Sequence, residues 1–448
     1  MHAARPSSTG TAPVFTPALK PVLTAGLAVG LAIGPGASPA SAIDIIFVHD
    51  QISDEILRLV DRNGDGDATD PGESTVFLDD SLPPDIGNDN AQGLVALGPA
   101  TILATDNFKP DNIVRAQDFN NDGDALDPGE AFVYFDGALP GGFTLTNPAD
   151  LRRIGSGQYL LLDNNTLDET NPEAVYLLEE INDDLIISGD EVSVLFELSP
   201  AGDSQTTTFD VVRDNDGLLY TIDITDPGMI ESLDVLDPES GLKQEWFDSV
   251  DLLNLTGAVL TGTVNELEFI PTSNEVIFGG STLGGAQAIF AAADTNGSGT
   301  IDNAFEIRLL WSESASADAP NTGSPRDFVL GADGSLFWTD GLQDRVWRLV
   351  DRNNDGDYND LGETVVFYDA DDATAAGLPP IELALSIAAW SCAADLAEPF
   401  GALDFADVQA FVASFSSGTP LADLNDDGIF DLADVQGYIT AFSAGCAQ

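Results

Sequence analysis

Three segments of the 448-residue chain place carboxylate and amide side chains at alternating positions around a glycine: DRNGDGDATDPGE, DFNNDGDALDPGE and DRNNDGDYNDLGE. A hard cation with six to eight oxygen ligands requires this alternation, a sharp turn and a late carboxylate, so the pattern predicts Ca²⁺ sites. The candidate ligands are Asp61, Asn63, Asp65, Asp67, Asp70 and Glu73 in the first segment, Asp118, Asn120, Asp122, Asp124, Asp127 and Glu130 in the second, and Asp351, Asn353, Asp355, Asp357, Asp360 and Glu363 in the third.

A fourth segment, DTNGSGTIDNAFE, has a weaker version of the pattern. Fragments near Asp183 and Glu191 and a shortened link around Asp237 are expected to be turns without metal. The alternative for every segment is an acidic turn that uses Asn, Asp and Gly for backbone reasons. Three carboxylates within six residues repel one another without a cation, which favours metal in the first three segments. The candidate ligands of the fourth segment are Asp294, Asn296, Ser298, Asp302 and Glu306.

The segments lie inside a larger repeat of apolar strands. Short strands that end in a polar residue recur at intervals of 56 to 60 residues, and each is followed by two more strands. A further strand precedes five of the copies, as in GLVAL and DFVLG. Six copies of a four-stranded antiparallel unit predict a six-bladed β-propeller, with the acidic segments on its outer rim. The strand ends are Asp50, Asp106, Asp163, Asp223, Ser281 and Asp340.

The two ends of this repeat fit one another. The first copy lacks its leading strand, while a spare strand, IELALSIA at residues 381–388, follows the sixth copy. Pairing the spare strand with the first copy closes the ring and removes an open edge. A linear solenoid of stacked sheets would leave that strand without a partner, so a closed ring is favoured.

Charge and composition exclude several functions. The chain has 76 acidic and 15 basic residues and a formal net charge of -61, which disfavours nucleic acid and anionic lipid as partners. A hydrophobic content of 43% with 24 Phe argues against disorder. Basic residues, an apolar stretch too short to span a bilayer and a small-residue ASA motif predict a cleaved export signal at residues 1–42, with no membrane insertion. The mature protein is then secreted or displayed at the cell surface.

The last segment is predicted to be a separate helical module. Two stretches with a period near 3.6, FADVQAFVASF and LADVQGYITAF, each follow an acidic loop. The first loop has Ala397 and Pro399 where oxygen ligands are needed, so we expect it to keep its shape without calcium. The second loop has Gly428 at position 6 and an EF-hand ligand set at positions 1, 3, 5, 9 and 12. That set is Asp423, Asn425, Asp427, Asp431 and Asp434.

This duplicated half-EF-hand, with DLNDDGIFDLADV, resembles a type I dockerin, and CAADL with the terminal AGC is similar to the dockerin-like anchor of secreted planctomycete-type proteins. The resemblance covers residues 392–448. It implies a tether that docks onto a cohesin-type or cell-surface partner. Two cysteines in an oxidising location also predict a Cys392–Cys446 disulfide. The residues at the partner-selecting dockerin positions are Phe405, Ala406, Leu432 and Ala433.

The sequence therefore predicts an all-β six-bladed β-propeller at residues 43–390, followed by a small α-helical EF-hand-like (dockerin-like) module at 391–448. One function is a calcium-binding scaffold with an unidentified ligand at the propeller mouth. The alternative is a calcium-dependent hydrolase of lactonase or phosphoesterase type. No catalytic residue can be assigned, because the predicted mature chain has one histidine, His49, and no G-x-S-x-G motif. The carboxylates at the mouth would chelate a metal or bind a cationic or polyhydroxyl ligand, or else only terminate their strands: Asp50, Asp106, Asp163, Asp223 and Asp340.

Overall fold

A computed structural model describes most of the chain after residue 43. The described residues are 44–79, 90–107, 111–164, 171–182, 184–199, 207–224, 231–259, 267–282, 284–318, 320–323, 325–331, 333–392, 394–397, 403, 405–417, 422, 430 and 432–445. The predicted export signal and Cys446 lie outside these residues, so both stay predictions. Most of the second EF-hand-like loop also lies outside them, namely Asp423, Asn425, Asp427 and Asp431.

Six antiparallel sheets form the six blades. Blade 1 contains β1 (Asp44–Asp50), β2 (Glu55–Val60), β3 (Ser74–Asp79) and the late strand β25 (Ala384–Ser391). Blade 2 contains β4 (Leu94–Gly98), β5 (Thr101–Asp106), β6 (Asn112–Gln117) and β7 (Ala131–Phe135). Blade 3 contains β8 (Pro148–Gly155), β9 (Gln158–Asp163), β10 (Glu173–Glu179) and β11 (Val192–Ser199).

The second half of the ring repeats this plan. Blade 4 contains β12 (Thr207–Arg213), β13 (Leu219–Ile224), β14 (Glu231–Asp237) and β15 (Leu242–Asp248). Blade 5 contains β16 (Ala258–Val259), β17 (Leu267–Ile270), β18 (Glu275–Thr282), β19 (Gln287–Ala292) and β20 (Ile307–Ser312), with β16 and β17 both paired to β18. Blade 6 contains β21 (Pro325–Leu330), β22 (Leu336–Asp340), β23 (Arg345–Leu349) and β24 (Thr364–Asp369).

The inner strands surround the propeller axis. Contacts run in a circle from β25 to β4, β8, β12, β17, β21 and back to β25. The strands are apolar on both faces because each sheet packs between two others, and all seven residues of β1 are buried. The six-bladed propeller predicted from the repeat is confirmed, and the leading strand of each copy lies at the axis.

The ring closes as predicted, with a shift in the strand boundaries. β25 pairs with β1 from Asp44 opposite Ser391 to Asp50 opposite Ala384. The sequence placed this strand at 381–388, three residues earlier. The structure begins it later because the Asp50 carboxylate accepts backbone N–H bonds from Glu382 and Leu383, both at 3.0 Å, and holds them in a turn.

Two short helices, α1 (Ser249–Thr256) and α2 (Ala370–Ala376), follow outer strands, and two longer helices, α3 (Phe405–Ser417) and α4 (Leu432–Ala444), follow the propeller. Phe411 of α3 stacks on Tyr438 of α4, with ring centroids 4.2 Å apart and planes 9° from parallel. This small helical module therefore has its own apolar core. Within the described ranges, every helix is too short or too polar to cross a membrane.

We expect ring closure to depend on β25 rather than on the residues after it. A chain ending at Leu383 leaves the β1 edge unpaired and removes buried residues such as Ile387, so it should melt at a lower temperature and aggregate. A chain ending at Ser391 is the matched control and should melt in one cooperative transition. Equal melting curves, measured by circular dichroism and light scattering, would contradict this role for β25.

Candidate functional site

The first acidic loop, residues 61–73, folds around the side chain of its first residue. Asp61 Oδ1 accepts backbone N–H bonds from Gly64 (2.7 Å) and Asp65 (3.2 Å), and Oδ2 accepts one from Gly66 (2.9 Å). Gly66 has φ of 105°, a conformation that strains other residues, which explains a glycine at the sixth position. The loop therefore makes a sharp turn around its first carboxylate.

Side chains at positions 3, 5 and 10 of this loop converge. Asn63 Nδ2 donates to Asp65 Oδ2 at 3.0 Å and to Asp70 Oδ2 at 2.6 Å. Across the described ranges, no Lys or Arg nitrogen lies within 4.0 Å of these aspartates, so no ion pair offsets their charge. The same convergence occurs in loop 2 (residues 118–130) and loop 6 (351–363), where the residues are Asn120, Asp122, Asp127, Asn353, Asp355 and Asp360.

The aspartate at position 7 bonds locally. Asp67 Oδ1 accepts the backbone N–H of Thr69 at 2.9 Å, and Asp124 and Asp357 accept the corresponding bond two residues further on. This is the bond of an Asx turn, so position 7 shapes the loop directly.

The late glutamate ties the two ends of the loop together. Glu73 Oε1 accepts the N–H groups of Arg62 (2.9 Å) and Asn63 (3.1 Å), while Oε2 accepts that of Asp70 (3.2 Å). Burial raises the pKa of Glu73, and these backbone bonds counter that effect. The sequence pattern predicted a metal ligand here and did not reveal this closing role. Two glutamates make equivalent bonds in loops 2 and 6: Glu130 and Glu363.

Loop 5, residues 294–306, folds in the same way with fewer carboxylates. Asp294 accepts backbone N–H bonds from Gly297 (2.7 Å), Ser298 (3.1 Å) and Gly299 (2.7 Å). Asn296 Nδ2 donates to Asp302 at 3.0 Å, and Glu306 Oε2 accepts the Asp302 N–H at 3.0 Å. The predicted weaker site therefore has the loop geometry of the stronger ones.

Blades 3 and 4 differ from the others at this rim. In loop 3, residues 180–191, Leu185 takes the left-handed position (φ 64°), and Asp183 lies outside the described residues. Glu191 still closes the loop through the N–H groups of Ile181 (3.1 Å) and Ser188 (2.9 Å). In blade 4 the link is a tight turn, residues 238–241, in which Asp237 accepts N–H bonds from two of those residues.

A residue at position 8 of each long loop, here called the anchor residue, joins the loop to the preceding blade. Its side chain is buried between the two blades, and its N–H donates to a carbonyl on the preceding outer strand at 2.7 to 3.0 Å. The bonds link each loop to its neighbour across a seam, meaning the interface between adjacent blades. They are Ala68 to Phe367, Ala125 to Phe77, Ile187 to Tyr134, Ile301 to Trp246 and Tyr358 to Leu310.

The acceptor in each seam is the extra residue of a β-bulge. On β3, for example, Leu78 and Val76 face consecutive residues of β2, which leaves Phe77 unmatched in the ladder. A bulge re-aims backbone groups of an edge strand, so its carbonyl is available to the neighbouring blade. Sequence reasoning missed both the bulges and the anchors, although an apolar residue at the eighth position was a visible signal.

The helical module retains part of the predicted loop geometry. In its first half, Asp407 accepts the N–H groups of Leu396 (2.8 Å) and Ala397 (3.0 Å), and so closes the first loop. Asp434, the equivalent residue in the second half, is buried. Two of the predicted docking residues, Phe405 and Leu432, are 70% and 66% exposed.

The carboxylates predicted at the mouth bond within their own blades. Asp163 accepts the N–H groups of Thr146 (3.1 Å) and Asn147 (2.8 Å), which lead into the inner strand β8. Burial raises the pKa of Asp163 to about 7. Asp340 and Asp223 are also bonded, to the Gly323 N–H and to Lys243 respectively. These bonds agree with the simpler alternative, in which the carboxylates fix turns.

An arginine at the propeller axis is the main feature that sequence reasoning missed. Arg152 on β8 lies 3.2 Å from Asp150, 3.0 Å from Asp210 and 3.6 Å from both Glu268 and Asp327. The four acids come from the inner strands of blades 3, 4, 5 and 6. A visible signal was the acid at one shared position of those strands, in PADLRR, TFDVVR, ELEFI and PRDFVL.

This axial cluster carries excess negative charge inside the ring. Burial raises the pKa of Asp327 to about 7 although Arg152 opposes the shift, and burial raises the pKa of Asp150 well above its ordinary value. Asp327 is also held by the N–H groups of Phe328 (2.7 Å) and Ile387 (2.8 Å). The Arg152 guanidinium is thus the cation that offsets these carboxylates where the inner strands converge.

His49 and one acidic group on blade 4 are further candidate reactive residues. Burial lowers the pKa of His49 to about 4, against the opposing effects of Asp50 and the Ala91 backbone, so the ring is neutral at pH 7. On blade 4, Glu245, Asp248 and Asp251 bring carboxylate oxygens within 4.8 Å of one another, and a metal could be held there. Asp248 is already used as the N-cap of α1.

Together, these features define a class: a six-bladed β-propeller with acidic loops across its seams. No protein-family model and no curated protein matches the chain. Similar solved structures include a chain of the nidogen/laminin complex (TM-score 0.45, 13% identity, covering 78% of this chain and 98% of that one). A 6-phosphogluconolactonase-like protein from Bacteroides fragilis (0.42, 11%, 78% and 98%) and the calcium-binding protein regucalcin from Agrobacterium tumefaciens (0.37, 13%, 60% and 72%) are also similar. These likenesses are too distant to indicate an activity.

Replacing Arg152 tests whether the axial cluster depends on its cation. In Arg152→Gln four carboxylates lose their counter-charge, so at pH 8 the free energy of unfolding should fall by about 3–5 kcal/mol. Arg152 lowers the pKa of Asp327 against the effect of burial, so removing it raises the folded pKa further, and the variant gains more stability from protonation than the unmodified protein does as the pH falls. Lowering the pH to 5 should therefore recover part of the loss.

The neighbouring residue provides the control. Arg153 lies on the same strand and donates to the Gly155 carbonyl. Arg153→Gln should change the free energy of unfolding by about 0.5 kcal/mol or less. Urea unfolding of both variants at pH 5, 6.5 and 8 separates them, and an equal loss in both would refute the electrostatic account.

Proposed function

We propose that the protein is a secreted calcium-binding propeller that acts as a binding scaffold and is tethered through its C-terminal module. The observation that carries the proposal is the anchor bond, because the oxygen-rich loops are also the segments that join neighbouring blades. A cation within loop 1, 2, 5 or 6 would fix the loop that positions an anchor residue. Calcium would then stabilise the seams of the ring.

The charge of the loops supports calcium as the ion. Loop 1 contains five carboxylates. The amide nitrogen of Asn63 lies between two of them and donates to Asp65 and to Asp70. Rotating the Asn63 amide by half a turn would present its oxygen to a cation in place of its nitrogen. Carboxylate and amide oxygens are the donors that Ca²⁺ prefers.

The axial arginine disfavours the alternative, a calcium-dependent hydrolase of lactonase or phosphoesterase type. Such chemistry needs a metal among carboxylates in the channel, and here Arg152 contacts the carboxylates of four blades. His49 is buried and its pKa is lowered to about 4, so it is neutral at pH 7 but unexposed to substrate. A scaffold role requires neither an axial metal nor a general base.

The calcium proposal is tested at position 5 of two loops. Calcium binds only the folded loops, so free Ca²⁺ should raise the melting temperature and chelator should lower it. Asp65→Ala should remove one bound ion, measured by elemental analysis after dialysis, and should reduce the calcium-dependent rise.

Loop 3 provides the matched control, because Asp184 occupies the same position in a loop without the ligand set. Asp184→Ala should leave both the ion count and the calcium response unchanged. Identical melting with calcium and with chelator in the unmodified protein would end the proposal.

The tethering proposal rests on the exposed end of α4. Leu432 is apolar and 66% exposed, as a docking contact should be before the partner binds. Leu432→Asp should weaken binding to an immobilised cohesin domain at least tenfold, measured by surface plasmon resonance. Val412→Asp, at a residue 54% exposed on α3, should bind like the unmodified protein. Absence of binding by the unmodified protein would rule out a cohesin-type partner.

A further inference from the structure

Among the described residues, one of the six seams, between blades 3 and 4, has no anchor residue. The bulge on β11 leaves Leu195 unmatched, since Val175 faces Phe196 and Tyr176 faces Val194. In the other five seams the equivalent bulged residue is at most 2% exposed: Phe77, Tyr134, Trp246, Leu310 and Phe367. Leu195 is only partly buried. The described part of blade 4 supplies no backbone donor to it, because the link there is the four-residue turn 238–241.

A cavity occupies the place where the missing loop would lie. Its volume is about 540 Å³, within the range of about 300–1,000 Å³ that is typical of ligand sites. The apolar core of this seam is the smallest of the six among the described residues, with eight buried members where the others have 11 to 17. The lining includes Ile154, Leu177 and Leu195.

The rim of the cavity is acidic. Asp216, Asp237 and Glu239 line it together with one arginine, Arg213. Hydrogen bonds from Ser240 hold the pKa of Asp237 below its ordinary value, so this carboxylate stays ionised. A segment that enters the cavity is therefore favoured if it carries basic residues beside its apolar one.

We propose that the seam between blades 3 and 4 binds an extended peptide segment of a partner protein, whose apolar residue takes the place of the missing anchor. The five filled seams show the form of the contact. An apolar side chain enters between the blades while its N–H donates to the bulged carbonyl. Isoleucine fills two of those seams, at Ile187 and Ile301, and basic flanking residues complement the rim. The loops predicted to bind calcium take no part, so this site is independent of the calcium proposal.

A short peptide tests the site directly. Fluorescein-labelled Gly-Lys-Ile-Ser-Lys amide should bind the full chain saturably, with a dissociation constant below about 1 mM by fluorescence polarisation. Methylating the isoleucine backbone nitrogen removes the donor and keeps every side chain. This change should weaken binding about tenfold or more, because the carbonyl then lacks its partner. Equal binding of the two peptides, or no saturable binding, would overturn the proposal.

Two sets of variants locate the peptide. Leu195→Trp should fill the cavity and abolish binding, whereas Val194→Trp, on an exposed neighbour outside the lining, should not. The double change Asp216→Lys and Glu239→Lys alters only exposed rim residues, and so keeps the test usable if Leu195→Trp does not fold. This double change should weaken binding of the lysine peptide and strengthen binding of a peptide with Glu in place of Lys. Unchanged peptide binding in Leu195→Trp and in the double variant, or self-association of the chain that Leu195→Trp abolishes, would overturn the proposal.

Discussion

The backbone bond between an anchor residue and a bulged carbonyl is the interaction on which the architecture depends. Sheets in a propeller share no hydrogen-bonded ladder with one another, so backbone-to-backbone bonds between neighbouring blades need a loop that crosses from one to the other. In the described part of the chain, a loop crosses five of the six seams and places a buried anchor residue in each. The bulge and the long loop are therefore two halves of one contact, made by different blades.

This contact explains why the loops are long and acidic at the same time. To reach the preceding blade, the chain must leave its own sheet, turn sharply and return, which exposes many backbone N–H groups. Asp61 and Glu73 satisfy several of those groups within one loop. Each carboxylate that shapes the loop also adds negative charge, which the proposed calcium ions would balance. Loop 3 keeps the anchor and the closing Glu191 without the full acid set.

Much of this architecture could be predicted from sequence, because it is periodic. The 56- to 60-residue interval specified six blades, and the unpaired strand near residue 384 specified the closure. The predicted boundary of that strand was wrong by three residues. The reason is that Asp50 accepts the N–H groups of Glu382 and Leu383, which are more than 300 residues away in the sequence. That the acidic loop residues bind metal stays a prediction. Their geometry shows that Glu73 and its equivalents accept hydrogen bonds from the loop backbone.

The axial cluster could be predicted only in part, because its acids share one position in four leading strands but nothing in the repeat marks Arg152 as their partner. Arg152 contacts acids more than 50 and more than 170 residues away, and only the closed ring brings those strands together. A lone acid in an apolar strand gives no local sign that three others will join it. The bulges are also invisible locally, because a strand with one extra residue has the same composition as a regular one.

The uneven distribution of anchor residues makes one seam of the ring weaker than the others. Among the described residues, five seams are tied by the N–H of an anchor residue. The seam between blades 3 and 4 lacks that bond and relies on a small apolar core, the Arg152–Asp210 ion pair and side-chain bonds such as the one from the Thr208 N–H to Glu173. In the order of the blades, this seam lies across the ring from the seam between blades 6 and 1. Blade 1 is the blade that combines the first strand, β1, with the last strand, β25. Thermal fluctuations should therefore be largest at the seam between blades 3 and 4, and a molecule bound in that seam would make the whole ring more rigid.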